Sequence, residues 1–83
     1  MEYKNIRAFT VIGETGSFRD AVRTLGISAS QLSKNMDRLE EDLGKKLFDI
    51  QGRRMVLNPE GRQFLPVARE IVKLQEEIGR AHV

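Results

Sequence analysis

A mainly α fold is what this sequence of 83 residues predicts: three short helices, a two-stranded hairpin and one long final helix. Three observations carry that expectation. Two capped amphipathic segments meet at a short glycine-marked joint between Gly26 and Ser28. Two apolar runs then flank a Gly-containing turn at Gln51-Gly52, the pattern of a hairpin. After Pro59 a heptad spacing sets in. Together these make a winged helix-turn-helix over residues 1–58, three helices plus a two-stranded wing. Residues 59–83 form a linker and dimerisation helix.

The elements follow in order. Ile6, Phe9 and Ile12 recur at the spacing of one helical stripe, and Gly13 and Gly16 bracket a break. Ser17 is the N-cap of the second helix, with Asp20 adding negative charge to its first turn. Phe18, Ala21, Val22 and Leu25 give it a buried face, and Gly26 ends it as a left-handed residue. Ser28 opens the third helix with Gln31 at the capping-box position. Leu32, Met36, Leu39 and Leu43 mark its apolar stripe, and Gly44 closes it. The joint is too short for antiparallel packing and suits a steep crossing.

Leu47, Phe48 and Ile50 precede the turn, Met55, Val56 and Leu57 follow it, and Gln51-Gly52-Arg53-Arg54 is the tip. Asn58-Pro59-Glu60 then reads as a helix start: a capping Asn, Pro at the first position and an acid in the first turn. The last helix runs from about Pro59 to Arg80. Phe64, Ile71 and Ile78 are seven apart, as are Val67, Leu74 and Ala81, while Leu65, Ala68 and Val72 widen the stripe. Its first turn or two can pack on the small domain. The remainder needs a second chain, so Phe64, Val67, Ala68, Ile71, Leu74 and Ile78 are the expected dimer interface.

Composition narrows the function. Five aromatic residues are too few for binding by base stacking. With no cysteine, disulfides and thiolate metal sites are excluded, and the single histidine, His82, reads as a solvated tail residue. No membrane-spanning run or signal peptide is visible, so a cytoplasmic location is expected. Without a His–carboxylate pair, a nucleophile with a base, a Gly-rich phosphate loop or a metal cluster, no enzyme is expected. The net charge of +2 is compatible with nucleic acid but does not demand it.

The placement of charge says more. At 100° per residue the third helix, 28–43, sets Ser30, Lys34, Asp37 and Arg38 opposite its apolar stripe, with Ser33 at the border. A recognition helix enters the major groove by its N-terminal half. Small polar groups plus a long cation suit base edges and phosphates there. The acids Glu40, Glu41 and Asp42 stand at the other end, where the helix leaves the groove. Free N–H groups at the helix start, with the hydroxyls of Ser28 and Ser33, suit a phosphate. Arg53 and Arg54 at the wing tip suit the narrow minor groove. The rival reading is a winged helix that binds protein, since fold alone does not fix function.

The run Phe9…Gly16-Ser17-Phe18…Ala21…Leu25…Ser28…Leu32-Ser33…Leu39-Glu40…Leu43-Gly44…Leu47-Phe48…Arg53…Leu57…Gly61 resembles the N-terminal domain of LysR-type transcriptional regulators over essentially the whole chain. The resemblance implies sequence-specific binding of double-stranded DNA at an interrupted-dyad operator by a bacterial regulator. It implies a homodimer through antiparallel linker helices, with a tetramer open for the full-length protein. It places DNA contacts at Ala29, Ser30, Gln31, Ser33, Lys34 and Arg53. No cofactor is expected in this segment, because the family's small-molecule effector binds a C-terminal domain that this chain lacks. About 22 helical residues span roughly 33 Å, close to one turn of B-DNA.

Three positions depart from the family pattern. Position 29 is often Gln, which grips adenine; Ala29 offers only a methyl for thymine, leaving Gln31 to take over that reading. Asp37 replaces a frequent base, and Val22 a frequent Ala.

Overall fold

The computed structural model describes residues 1–81, the side chain of Ala81 excepted. His82 and the heptad place of Ala81 therefore lie outside the described residues. The order is α1 (Tyr3–Thr15), α2 (Phe18–Leu25), α3 (Ala29–Leu43), β1 (Phe48–Gln51), β2 (Arg54–Leu57) and α4 (Pro59–Ala81). The two strands pair antiparallel, with Phe48 opposite Leu57 and Gln51 opposite Arg54. This is a winged helix-turn-helix with a long final helix.

The single stripe expected for α1 is too narrow. This helix is the hub against which α2, α3 and α4 all pack, so it buries Asn5, Ile6 and every residue from Ala8 to Ile12. Phe9 is fully enclosed, its ring 5.8 Å from Phe48 and 5.3 Å from Phe64. Gly13 does not break the helix. A Cβ there would stand 2.6 Å from Leu65 Cδ1, so the glycine is a notch that lets α4 approach α1 closely.

The caps take the form their residues predict. Ser17 Oγ accepts from the Asp20 N–H and Ser28 Oγ from the Gln31 N–H, each at 3.0 Å. The reciprocal half of the capping box is absent, because Gln31 Nε2 donates to Asn35 Oδ1 at 2.9 Å instead. At the far end Gly44 is left-handed at φ 67°. The Lys45 N–H bonds the Glu40 carbonyl and the Gly44 N–H that of Glu41, a Schellman closure.

A junction at Leu47 ties α3, the wing and α4 together. The Leu47 N–H donates to Glu40 Oε2 at 2.7 Å, and the Leu47 carbonyl accepts from the Asn58 N–H at 3.0 Å. The buried Asn58 side chain closes the knot. Its Oδ1 caps the Gly61 N–H at 2.8 Å, while its Nδ2 donates to the Lys46 carbonyl at 3.0 Å. Sequence reading treated Glu40 only as an acid kept out of the groove. Its side chain is 10% exposed, and it serves the backbone of the wing's base. Glu40→Ala is expected to cost about 1–3 kcal/mol, because the buried Leu47 N–H loses a charge-assisted partner. A fall in the urea midpoint at unchanged slope checks this, and an unchanged midpoint counts against it.

The heptad reading of α4 merged two faces. Leu65, Ala68 and Val72 point one way and pack on the core, Ala68 with no exposure at all. Val67, Leu74 and Ile78 lie roughly 130° around the helix at 100° per residue. These three are 52%, 49% and 56% exposed. Phe64 and Ile71 sit between the faces, half-buried against the same core. Ala68 is thus a core residue and not a dimer contact, and Phe64 and Ile71 are already partly spent within the chain. Packing continues to Val72, so the boundary at residue 58 is not a break in the core.

Candidate nucleic-acid interface

The site rests on three elements fixed by that core. Leu32, Met36 and Leu39 are buried and hold α3 with its opposite face outward. On that face Ser28, Ala29, Ser30, Gln31, Lys34 and Arg38 are exposed, and Ser33 is half-buried. The wing presents Arg53 in a two-residue turn and Arg54 at the first position of β2, both exposed. Gly52 takes φ 64°, the sign that hairpin turns require at their first central residue.

These residues are not equivalent. Arg38 Nε lies 3.4 Å from Asp42, whose carboxylate also meets the N-terminal amine at 3.9 Å. Arg38 is therefore directed toward the C-terminal end, away from the first turn of α3. The pair is exposed on the arginine side and so is worth little. Gln31 keeps its Oε1 and one amide hydrogen free while Asn35 steadies its carboxamide. Asp37 faces a shallow groove shared with Glu40, Glu41, Lys45 and Lys46, where Lys46 Nζ lies 3.6 Å from Glu40.

A second concavity, of about 550 Å³, opens between the start of α2, the start of α3 and the wing. It brings Ala29, Arg53 and Arg54 together with Ser17 and Arg19 over half-buried Phe18, Val22 and Met55. Arg19 was not singled out from sequence. Its only signal was a position in the first turn of α2, just after the Ser17 cap. Among the described residues, Arg19, Lys34, Arg53 and Arg54 have no carboxylate within 4.0 Å. Lys4, Lys45 and Lys46, elsewhere on the surface, are paired. Arg19, Lys34, Arg53 and Arg54 thus give the α3 and wing side four uncompensated cations, while Arg7 on α1 and Arg69 and Lys73 on α4 are likewise without a carboxylate within 4.0 Å on another face. No group of His, Cys, Asp and Glu suited to a metal occurs among the described residues.

A recognition helix flanked by a cationic wing defines a DNA-binding domain of the winged helix-turn-helix class. The chain belongs to the lysR family of bacterial regulatory helix-turn-helix proteins, whose family model matches residues 3–62. It is similar to the uncharacterized HTH-type transcriptional regulator YxjO of Bacillus subtilis (strain 168). That likeness is 38% identity over 76 residues, covering 92% of this chain and 26% of that protein. The chain thus spans about a quarter of the length of that relative. Among solved structures, CbnR, a LysR family transcriptional regulator, superposes with a TM-score of 0.90 at 30% identity. The match covers 99% of this chain and 28% of that one. The CbnR DNA-binding domain in complex with DNA superposes with a TM-score of 0.89 at 30% identity, covering 99% and 94%.

Proposed function

We propose that this chain binds a specific double-stranded DNA operator as a homodimer. The recognition helix, 28–43, enters the major groove by its N-terminal half, and the wing, 51–54, lies at the minor groove. The observation that carries the reading is the set of exposed, unpaired cations on α3 and the wing. They flank a first turn whose outward groups are small and polar. The likeness to a domain crystallised with DNA supports it. Ser30, Gln31 and Lys34 meet base edges, Ser28 and Ser33 meet phosphate, Ala29 touches a thymine methyl, and Arg53 and Arg54 hold the minor groove. Arg38 joins only after leaving Asp42.

The dimer forms through the outward stripe of α4. Val67, Leu74 and Ile78 face one way on a helix of 23 residues, about 35 Å long at 1.5 Å per residue. That length matches one turn of B-DNA between half-sites of an interrupted dyad. In the full-length protein a small-molecule effector would act on a domain outside this chain, and dimers would associate further into a tetramer. The segment itself uses no cofactor, and its place of work is the bacterial cytoplasm.

Lys34→Ala and Arg53→Ala are each expected to weaken operator binding, by about 1–3 kcal/mol where they touch bases. Titration against a duplex selected from a random pool, at stated salt, checks this. Full affinity in both variants would remove the site assignment. Across a salt series log K should fall linearly with log salt, about 0.9 per phosphate neutralised. A partner protein bound with little salt dependence would favour the interaction-module reading instead.

A further inference from the structure

We propose that Ile50 packs on the deoxyribose wall of the DNA minor groove and makes the wing selective for a narrow, A·T-rich stretch beside the recognition site. The inference rests on the DNA-binding reading above and adds an uncharged contact outside the 51–54 tip. Ile50 belongs to one of the two apolar runs that mark the hairpin, yet it is 76% exposed, while Phe48 on the same strand is buried. It takes no part in the core. Among the described residues, the other exposed large apolar side chains are Met1 and the α4 stripe of Val67, Leu74 and Ile78. Ile50 lies apart from that stripe, at the edge of a two-stranded sheet, where an uncovered apolar residue invites aggregation.

Strand pairing gives Ile50 its direction. It stands opposite Met55, and directly opposed residues share one face of an antiparallel pair. Met55 lines the concavity that Ala29 of α3 also borders, so this face of the wing is turned toward the outward side of the recognition helix. Asp49 pairs with Val56 on the other face, which keeps the strand's acid off that side. At about 3.3 Å per residue, Ile50 lies roughly 7 Å behind Gly52, against a minor groove about 7.5 Å deep. With the tip at the groove floor, Ile50 therefore meets the lip, where the surface is the carbon face of deoxyribose. An apolar side chain gains from that wall only where the groove is narrow, and A-tracts make it narrow. A G·C pair instead adds the guanine amino group to the floor, which holds the tip out. The contact is continuous with the wing's own and leaves the arginines at the minor groove.

The test uses the complete chain as wild type, Ile50→Thr and Ile50→Val, titrated against three duplexes that share one half-site selected from a random pool. The flanking base pairs are an A-tract, a G·C tract, or that G·C tract with inosine for guanine, which removes only the minor-groove amino group. Wild type should prefer the A-tract and inosine duplexes over the G·C duplex. The Thr variant keeps the β-branched shape and loses apolar volume, so it should bind the A-tract duplex about 4–10-fold more weakly. Its affinity for the G·C duplex should be nearly unchanged, and the Val variant should keep most of the wild-type preference. No charge is removed, so the log–log salt slope should stay at the wild-type value, unlike that of Arg53→Ala. A Thr variant with wild-type affinity for all three duplexes, or with an equal loss on all three, overturns the groove contact and leaves the DNA reading standing. Loss of self-association alone, seen by sedimentation, assigns Ile50 to a contact between copies and likewise overturns it. Wild-type protein without salt-dependent binding to any duplex removes both readings together. The side chain is exposed, so an unchanged melting temperature separates these outcomes from misfolding.

Discussion

Leu74→Glu is expected to yield a folded monomer whose affinity for a duplex bearing two half-sites is lower by about 10²–10⁴-fold. That range is what linking two sites on one scaffold gains. The position is chosen because Leu74 is 49% exposed and takes no part in the chain's own core. Ile71 would be a poor choice, since it packs on that core and a charge there would damage the domain as well as the pairing. Between two α4 helices each outward side chain buried contributes about 1.5–3 kcal/mol. A carboxylate at the seam must instead be desolvated without a partner. Sedimentation should show one species of monomer mass, and binding to a single half-site should be unchanged. Ile78→Glu, at a position 56% exposed, should behave alike. A variant that still sediments as a dimer would reject the α4 stripe as the interface.

Gly61→Ala should destabilise the fold by about 1–3 kcal/mol or more, although alanine is the better helix former. Gly61 is the third residue of α4, and its N–H is capped by Asn58. A Cβ there would overlap the Leu47 carbonyl oxygen and come within 2.9 Å of Leu57 Cδ2. The carbonyl cannot retreat without breaking its bond from the Asn58 N–H. The natural control is Gly79→Ala, where a Cβ meets nothing within 4 Å. There the helix propensity stands alone, and the substitution should stabilise by up to about 1 kcal/mol. Urea unfolding of the two variants should move in opposite directions. A neutral Gly61→Ala would mean that α4 can slide on the wing's base.

What could be read from the chain follows the range of the forces involved. Ser17, Ser28 and Asn58 were legible as caps, and Gly26 and Gly44 as stops, because each acts within one turn of its own backbone. The two-faced α3 was legible because buried and exposed residues alternate at the helical period. Gly13 was misread because its reason is Leu65, far along the chain and across an interface. The division of α4 into inward and outward stripes was hidden for the same reason. Apolar residues on both faces look alike until α1 claims one of them. Arg19 joins Arg53 and Arg54 only when β2 folds back beside α2, which no local pattern reports.

The knot at Leu47 has a mechanical consequence. Both polar groups of that peptide backbone are held, the N–H by α3 and the carbonyl by the start of α4. The reading head, α3 and the wing, is therefore tied to the stalk, α4, through both polar groups of one peptide. In a dimer the aim of the two reading heads is then set by how the stalks cross, like the blades of shears about their rivet. A small rotation of one stalk against the other, delivered from elsewhere in a larger protein, would appear at the DNA as a change in the spacing the pair can span.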